Sequence, residues 1–159
     1  MEKQAPAAHH HPWQIGDVVL FPLVLLGLVA EWLMPSHIPF LPETLRIGFG
    51  TALAVAGVGM IAWAKRSLAA AAQPSLPGLP TTARVTNGAY GVSRNPNYLG
   101  AIVAVFASGL VFNSVWLSTS AIASALILQV WMVRPEEQYL SARFAADYAA
   151  YRKRVRRWF

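Results

Sequence analysis

Apolar residues gather into long runs separated by short polar connections. From about Ile15 to Met34 the chain is apolar apart from Asp17 near one end and Glu31 near the other, and a second run extends from about Leu45 to Ala64. A helix needs roughly 20 apolar residues to cross the ~30 Å hydrocarbon layer, so each run predicts a membrane span. No charged residue occurs from Tyr98 to Val133. That stretch holds two spans, 98-113 and 115-133, if the chain reverses at the turn-favouring pair Asn113-Ser114. Beyond it, Leu140, Phe144, Tyr148, Tyr151 and Val155 recur every three or four residues, the period of one helix face. The pattern predicts an all-α integral membrane bundle of about four transmembrane helices. A C-terminal amphipathic helix, about 136-155, is expected on the cytoplasmic face.

The connections differ in character. Residues 1-14 are polar and are expected to form a disordered tail ahead of a single domain, 15-159. His9-His10-His11 in that tail reads as incidental, because a flexible tail lacks the supporting contacts that orient metal ligands. Pro35, Pro39 and Pro42 mark a short connector. The 65-97 connection carries Pro74, Pro77, Gly78 and Pro80, then Thr86-Asn87-Gly88 and Gly91, and is expected to be a functional loop whose glycines admit close backbone approach.

Composition agrees with a membrane protein: of 159 residues 55% are hydrophobic and 13% charged, with a mean hydropathy of +0.41. Every Lys and Arg except Arg46 falls in the tails or the 65-97 connection. Basic loops stay cytoplasmic, so both termini and that connection are expected inside. The cluster Arg152, Lys153, Arg154, Arg156 and Arg157 suits anionic lipid head groups, at ~1 kcal/mol per cation, and the orientation accounts for the +6 charge without nucleic acid. With no cysteine there is no disulfide or thiol chemistry, and the polar start is unlike a cleavable secretory signal.

Gly57-Val58-Gly59-Met60-Ile61-Ala62 fits a dinucleotide-binding pattern, but it lies inside an apolar helix with no strand before it and reads as small-residue helix packing. No phosphate-binding loop, zinc pair or Ser-His-Asp set is visible, and no metal site is expected. What remains is a polar set at one membrane face: Asn87, Gly88, Tyr90, Gly91, Arg94, Asn95, Tyr98, Gly100, Glu136, Glu137 and Arg143. Charges near lipid are costly, so they mark a ligand pocket or, more plainly, an Arg/Glu tie between helices.

Gly88-Ala89-Tyr90, Arg94-Asn95-Pro96-Asn97-Tyr98-Leu99-Gly100, Gly109, Glu136-Glu137 with Leu140, then Phe144, Tyr148, Tyr151 and Arg154-Val155 form an ordered series over roughly residues 80-157. The series resembles the isoprenylcysteine carboxyl methyltransferase and phospholipid methyltransferase group. It departs from that group at Asn95, where many members have histidine, at Ala89, where proline usually precedes the tyrosine, and at Ala145, where glycine usually follows the phenylalanine. Asparagine at the first of these occurs in bacterial relatives and argues against the eukaryotic-type substrate more than against the fold; a bacterial inner membrane is the expected location.

The resemblance implies S-adenosylmethionine-dependent methyl transfer to a small lipophilic or lipid acceptor at the cytoplasmic membrane face. Glu136 or Glu137 suits the cofactor's amino group, and Arg94 its carboxylate. Asn95 suits the ribose or adenine edge. Tyr90 and Tyr98 offer rings for adenine or the sulfonium, an attraction of ~0.5–2 kcal/mol, and Gly88 and Gly91 close approach. Tyr98 and Arg143 are the candidate catalytic residues, Arg143 for meeting an acidic acceptor. Two alternatives stand beside this reading: an NADPH-dependent enzyme like the sterol reductases, which share an R-x-P-N-Y stretch, and a non-catalytic membrane scaffold with a lipid-binding basic tail. Small-residue faces such as Ala52/Ala56 leave the oligomeric state open.

Overall fold

The computed structural model describes residues 16-73 and 85-159. The N-terminal tail with Lys3 and the histidine tract, and the stretch with Pro74, Pro77, Gly78, Pro80 and Arg84, lie outside the described residues. Among those described, the regular structure is entirely helical: α1 Gly16–Leu33, α2 Glu43–Ala70, a 3-10 turn Gly88–Gly91, α3 Pro96–Val111, α4 Val115–Leu128, a π-helical turn Gln129–Val133 and α5 Arg134–Arg154. Packing places α3 between α2 and α4, with α4 also against α1. Gly16–Leu33, Glu43–Ala70 and the continuous Val115–Arg154 are each long and apolar enough to cross a membrane, while Pro96–Val111 is a shorter apolar helix. Phe21, Leu25, Trp32, Phe49, Val55, Leu126 and Trp131 point outward, as an exterior meeting lipid requires. The chain is an integral membrane protein.

The crossing of α2 and α3 rests on glycine. A Cβ on Gly57 would stand 2.7 Å from the Gly100 carbonyl oxygen, and one on Gly100 would stand 2.6 Å from that of Gly57. The backbones therefore touch directly, the small-residue packing that lets helices approach closely in lipid. This is the role of the glycine-rich stretch at Gly57.

The reversal expected at Asn113-Ser114 is present and chemically explicit. Asn113 takes a left-handed φ of 58°, its N–H donates to Leu110 at 3.2 Å and that of Ser114 to Gly109 at 2.8 Å. These bonds satisfy the last carbonyls of α3. Ser114 then caps α4, its Oγ accepting from the Leu117 N–H at 3.1 Å. Gly109 belongs here for room, since a Cβ would lie 2.6 Å from the Ser118 nitrogen.

Three boundaries differ from the sequence expectation. The second helix continues past Ala64 to Ala70, so the connection expected over 65-97 begins with more than a turn of helix. It closes on Ala72 with φ 51°, Gln73 N–H donating to Leu68 and Ala72 N–H to Ala69, the same type of stop as in α3. The amphipathic segment expected as a separate helix at 136-155 is instead continuous with α4. Pro135 has no N–H to give to the carbonyl four residues back, and the chain accommodates it by widening, with Arg134 N–H reaching back to Gln129. Within α5 the helix breaks at Ala145, whose φ is 32° and ψ -109°. The Leu140, Phe144, Tyr148, Tyr151, Val155 stripe does pack as one cluster.

At the end of the bundle opposite the polar set, Arg46 is buried. Its Nη1 donates to the carbonyls of Leu110 and Val111, placing a cation on the C-terminal end of α3 where the helix dipole favours it. Glu31 accepts from Ser36 N–H and Oγ, both at 2.8 Å, and from Ser114 Oγ at 2.5 Å. The connector after α1 is thereby stitched to the α3–α4 reversal.

Candidate functional site

The polar end is built where the 3-10 turn, the start of α3, the start of α5 and the C-terminal segment meet. Gly88 opens the turn with a left-handed φ of 60° and lies against Ser67 of the extended α2, where a side chain would collide. Ser67 Oγ accepts from the Ala89 N–H at 3.2 Å, so the extra length of α2 holds the turn. Asn95 stands at the N-cap position and Pro96 at the first helical position of α3, where the missing N–H costs nothing.

Glu137 is the centre of the arrangement. Its Oε1 is ion-paired with Arg94 Nη2 at 2.9 Å and accepts from Arg157 Nε at 3.0 Å, and its Oε2 accepts from Arg157 Nη2 at 2.6 Å. The side chains of Arg94 and Glu137 are 9% and 8% exposed and that of Arg157 is 29%. The Glu137 hydrogen bond holds the Arg157 guanidinium above its ordinary pKa. Two guanidinium charges meet one carboxylate, and Arg94 Nε is buried with no partner among the described residues.

The C-terminal segment is woven into the same place. Arg94 N–H donates to the Arg156 carbonyl at 3.0 Å. Ser93 Oγ and Asn95 Nδ2 donate to the Arg157 carbonyl at 3.0 and 3.4 Å, and Trp158 Nε1 to Gln129 Oε1 at 2.9 Å. Tyr151 Oη donates to the Tyr90 carbonyl at 2.6 Å. The basic tail expected against anionic head groups thus divides: Arg152, Lys153, Arg154 and Arg156 are exposed, while Arg157 turns inward onto Glu137.

Among the sequence candidates, Arg94, Asn95, Tyr90 and Glu137 come together, with the Asn95 amide turned to a backbone carbonyl. Glu136, partly exposed on the next position of α5, has no hydrogen bond or ion pair among the described residues. Burial pushes the Tyr90 hydroxyl well above its ordinary pKa, and the Glu136 and Tyr151 groups push it further, so Glu136 acts on the space beside Tyr90. Tyr98 packs its ring beside Gly16 and against the Val19, Leu128, Met132 cluster. Gly91 is exposed, with only the Thr86 carbonyl at 3.5 Å from a built Cβ. Arg143 is exposed and is not brought to the ion-pair cluster; its guanidinium carbon lies 5.8 Å from the neighbouring Phe144 ring. Sequence reasoning missed Arg157 as a site residue, since nothing in a run of five cations singles one out. Among the described residues no group of His, Cys, Asp and Glu could hold a metal ion.

The arrangement can bind a molecule that carries both charges. Glu136 offers a carboxylate without a cation among the described residues, and Arg94 keeps a buried Nε without a partner among them. No curated protein and no solved structure matches the chain. The family model for phospholipid methyltransferase matches residues 45–147, a span that contains Gly88, Arg94, Glu136, Glu137 and Arg143. With the match covering most of the helical bundle and both halves of the Arg94–Glu137 pair, the chain belongs to the phospholipid methyltransferase family.

Proposed function

We propose that the protein transfers a methyl group from S-adenosylmethionine to a lipid or small lipophilic acceptor at the cytoplasmic membrane face. Family membership implies a methyltransferase embedded in the membrane; the cofactor, the acceptor and the sidedness are our reading. The observation that carries it is the uneven charge pairing at the polar end, where Glu136 has no cation and Arg94 keeps a buried Nε without an acceptor.

S-adenosylmethionine, when bound, supplies an electrophilic methyl on a sulfonium, next to an α-amino group and an α-carboxylate. Glu136 binds the amino group and offsets the positive charge. Arg94 binds the carboxylate, already oriented by Glu137. The Tyr90 hydroxyl stays protonated, and its ring supplies an apolar, electron-rich face. Gly88 lets the turn close on Ser67 of α2, and Asn95 fixes the start of α3 through its bond to the Arg157 carbonyl. Tyr98, whose ring borders the apolar cluster, lines the route by which an acceptor enters from lipid. Exposed Arg143 meets an acidic part of that acceptor. In-line displacement needs chiefly alignment and exclusion of water, so no covalent intermediate is required.

In this reading α3 is the fourth crossing. Its 16 residues span about 24 Å, and its flanks on α2 and α4 shield it from lipid. Both termini then lie on the cytoplasmic side of what we take to be a bacterial inner membrane, with Arg152, Lys153, Arg154 and Arg156 against anionic head groups. The test is methyl transfer from labelled S-adenosylmethionine by purified protein to amine, thiol, carboxylate and phenol lipids. Label in a lipid product supports the proposal, and none with any class refutes it. The plainer reading, a helix tie within a scaffold, draws on the closed Arg94–Glu137 pair; it expects no binding of S-adenosylmethionine at all.

A further inference from the structure

Arg157 lies beyond the residues that the family model matches, yet it makes two of the three charged contacts to Glu137. Two parallel bonds from one guanidinium fix the plane of a carboxylate in a way a single bond does not. With Nε on Oε1 and Nη2 on Oε2, rotation of Glu137 breaks both, so Oε1 stays turned toward Arg94. Arg157 also holds the main chain that carries Arg94, because its carbonyl accepts from Ser93 on one side and Asn95 on the other. Arg94 is therefore located twice by the same residue, through its backbone neighbours and through the carboxylate it contacts.

The donors divide accordingly. Arg157 spends Nε and Nη2 on Glu137, whereas Arg94 spends Nη2 alone and keeps a buried Nε without a partner. One carboxylate between two guanidinium groups leaves a net positive charge, and the unused capacity to receive an anion sits on Arg94. Glu137, with both oxygens taken, has little left for a ligand's amino group, a task that falls to Glu136.

We infer that Arg157 is a positioning residue which, through Glu137, aims the Arg94 guanidinium at the carboxylate of the bound ligand. The inference rests on the S-adenosylmethionine reading above. Its test compares two probes, S-adenosylmethionine and its decarboxylated analogue, titrated into the full-length protein in detergent. Wild type must bind S-adenosylmethionine; binding of neither probe would overturn the function and this assignment together. Given binding, Arg157→Gln should weaken S-adenosylmethionine roughly tenfold and the decarboxylated analogue by less than about twofold, since only the former presents a carboxylate to Arg94. Arg157→Lys keeps the charge but loses the two-point contact, and it should show the same contrast between probes at a smaller size. That conservative variant carries the test where the glutamine variant does not fold. Equal loss for both probes would reduce Arg157 to general structural support. Unchanged or tighter binding of S-adenosylmethionine would likewise overturn the inference, the latter by making the C-terminal segment a plug.

Discussion

Replacing each of the two adjacent glutamates by glutamine separates structure from binding. In Glu137→Gln the two oxygens that receive three guanidinium donors become one amide oxygen and one NH2 group. Whichever way the amide turns, its NH2 faces an arginine N–H, and two largely buried cations lose their counter-charge. Arg94 and Glu137 are 9% and 8% exposed, so solvent screens little of this, and breaking a buried pair by removing one partner costs about 3 kcal/mol or more. For a chain of this size that corresponds to a fall in Tm of about 6–12 °C. Glu136→Gln removes a carboxylate with no partner among the described residues and should not lower stability. It should nevertheless weaken S-adenosylmethionine by the worth of a charge-assisted hydrogen bond, about 1.5–3 kcal/mol. Thermal unfolding of both variants in the same detergent, beside cofactor titration, reads the two effects separately. A Glu137→Gln protein as stable as wild type would refute the view that this carboxylate holds the site together.

Arg94→Lys keeps the charge and loses the planar fork, so it should bind S-adenosylmethionine about tenfold more weakly; a lysine variant equal to wild type in a titration refutes the two-point contact between Arg94 and the cofactor carboxylate. Ala145 occupies a left-handed φ of 32° inside α5, which costs a side-chain-bearing residue of order 1–3 kcal/mol. Ala145→Gly should therefore raise stability by about 1 kcal/mol after the entropic cost of glycine, measured by thermal unfolding, and an unchanged or lower Tm removes the strain. Reporter fusions should place both termini in the cytoplasm, and an external terminus would invert the proposed sidedness of the site.

The helices were legible because lipid imposes a length and an apolar composition that a sequence carries openly. The reversal was legible too, since Asn113 tolerates the left-handed conformation and Ser114 can cap. The π-helical turn was less so: Pro135 signals that a backbone bond must be lost, but whether the helix ends or widens depends on how α4 is held by α1 and α3. Arg94 and Glu137 stood out as charges beside apolar runs, and the structure pairs them. Their third partner was hidden, because Arg157 resembles its basic neighbours until the tail folds back over Ser93 and Asn95. Arg46 was hidden for the opposite reason, as a lone cation at the start of α2 whose value appears only when the end of α3 arrives beside it. Ala145 shows a different limit: its departure from the usual glycine was visible, while the backbone conformation that makes glycine useful there was not.

Isothermal titration of S-adenosylmethionine into the purified wild-type protein and into Glu136→Gln tests the central claim most directly. Saturable binding by wild type, weakened about tenfold or more in a variant whose Tm is not lowered, is the expected result. Absence of binding by a folded wild-type protein, or equal affinity in the two proteins, would contradict it.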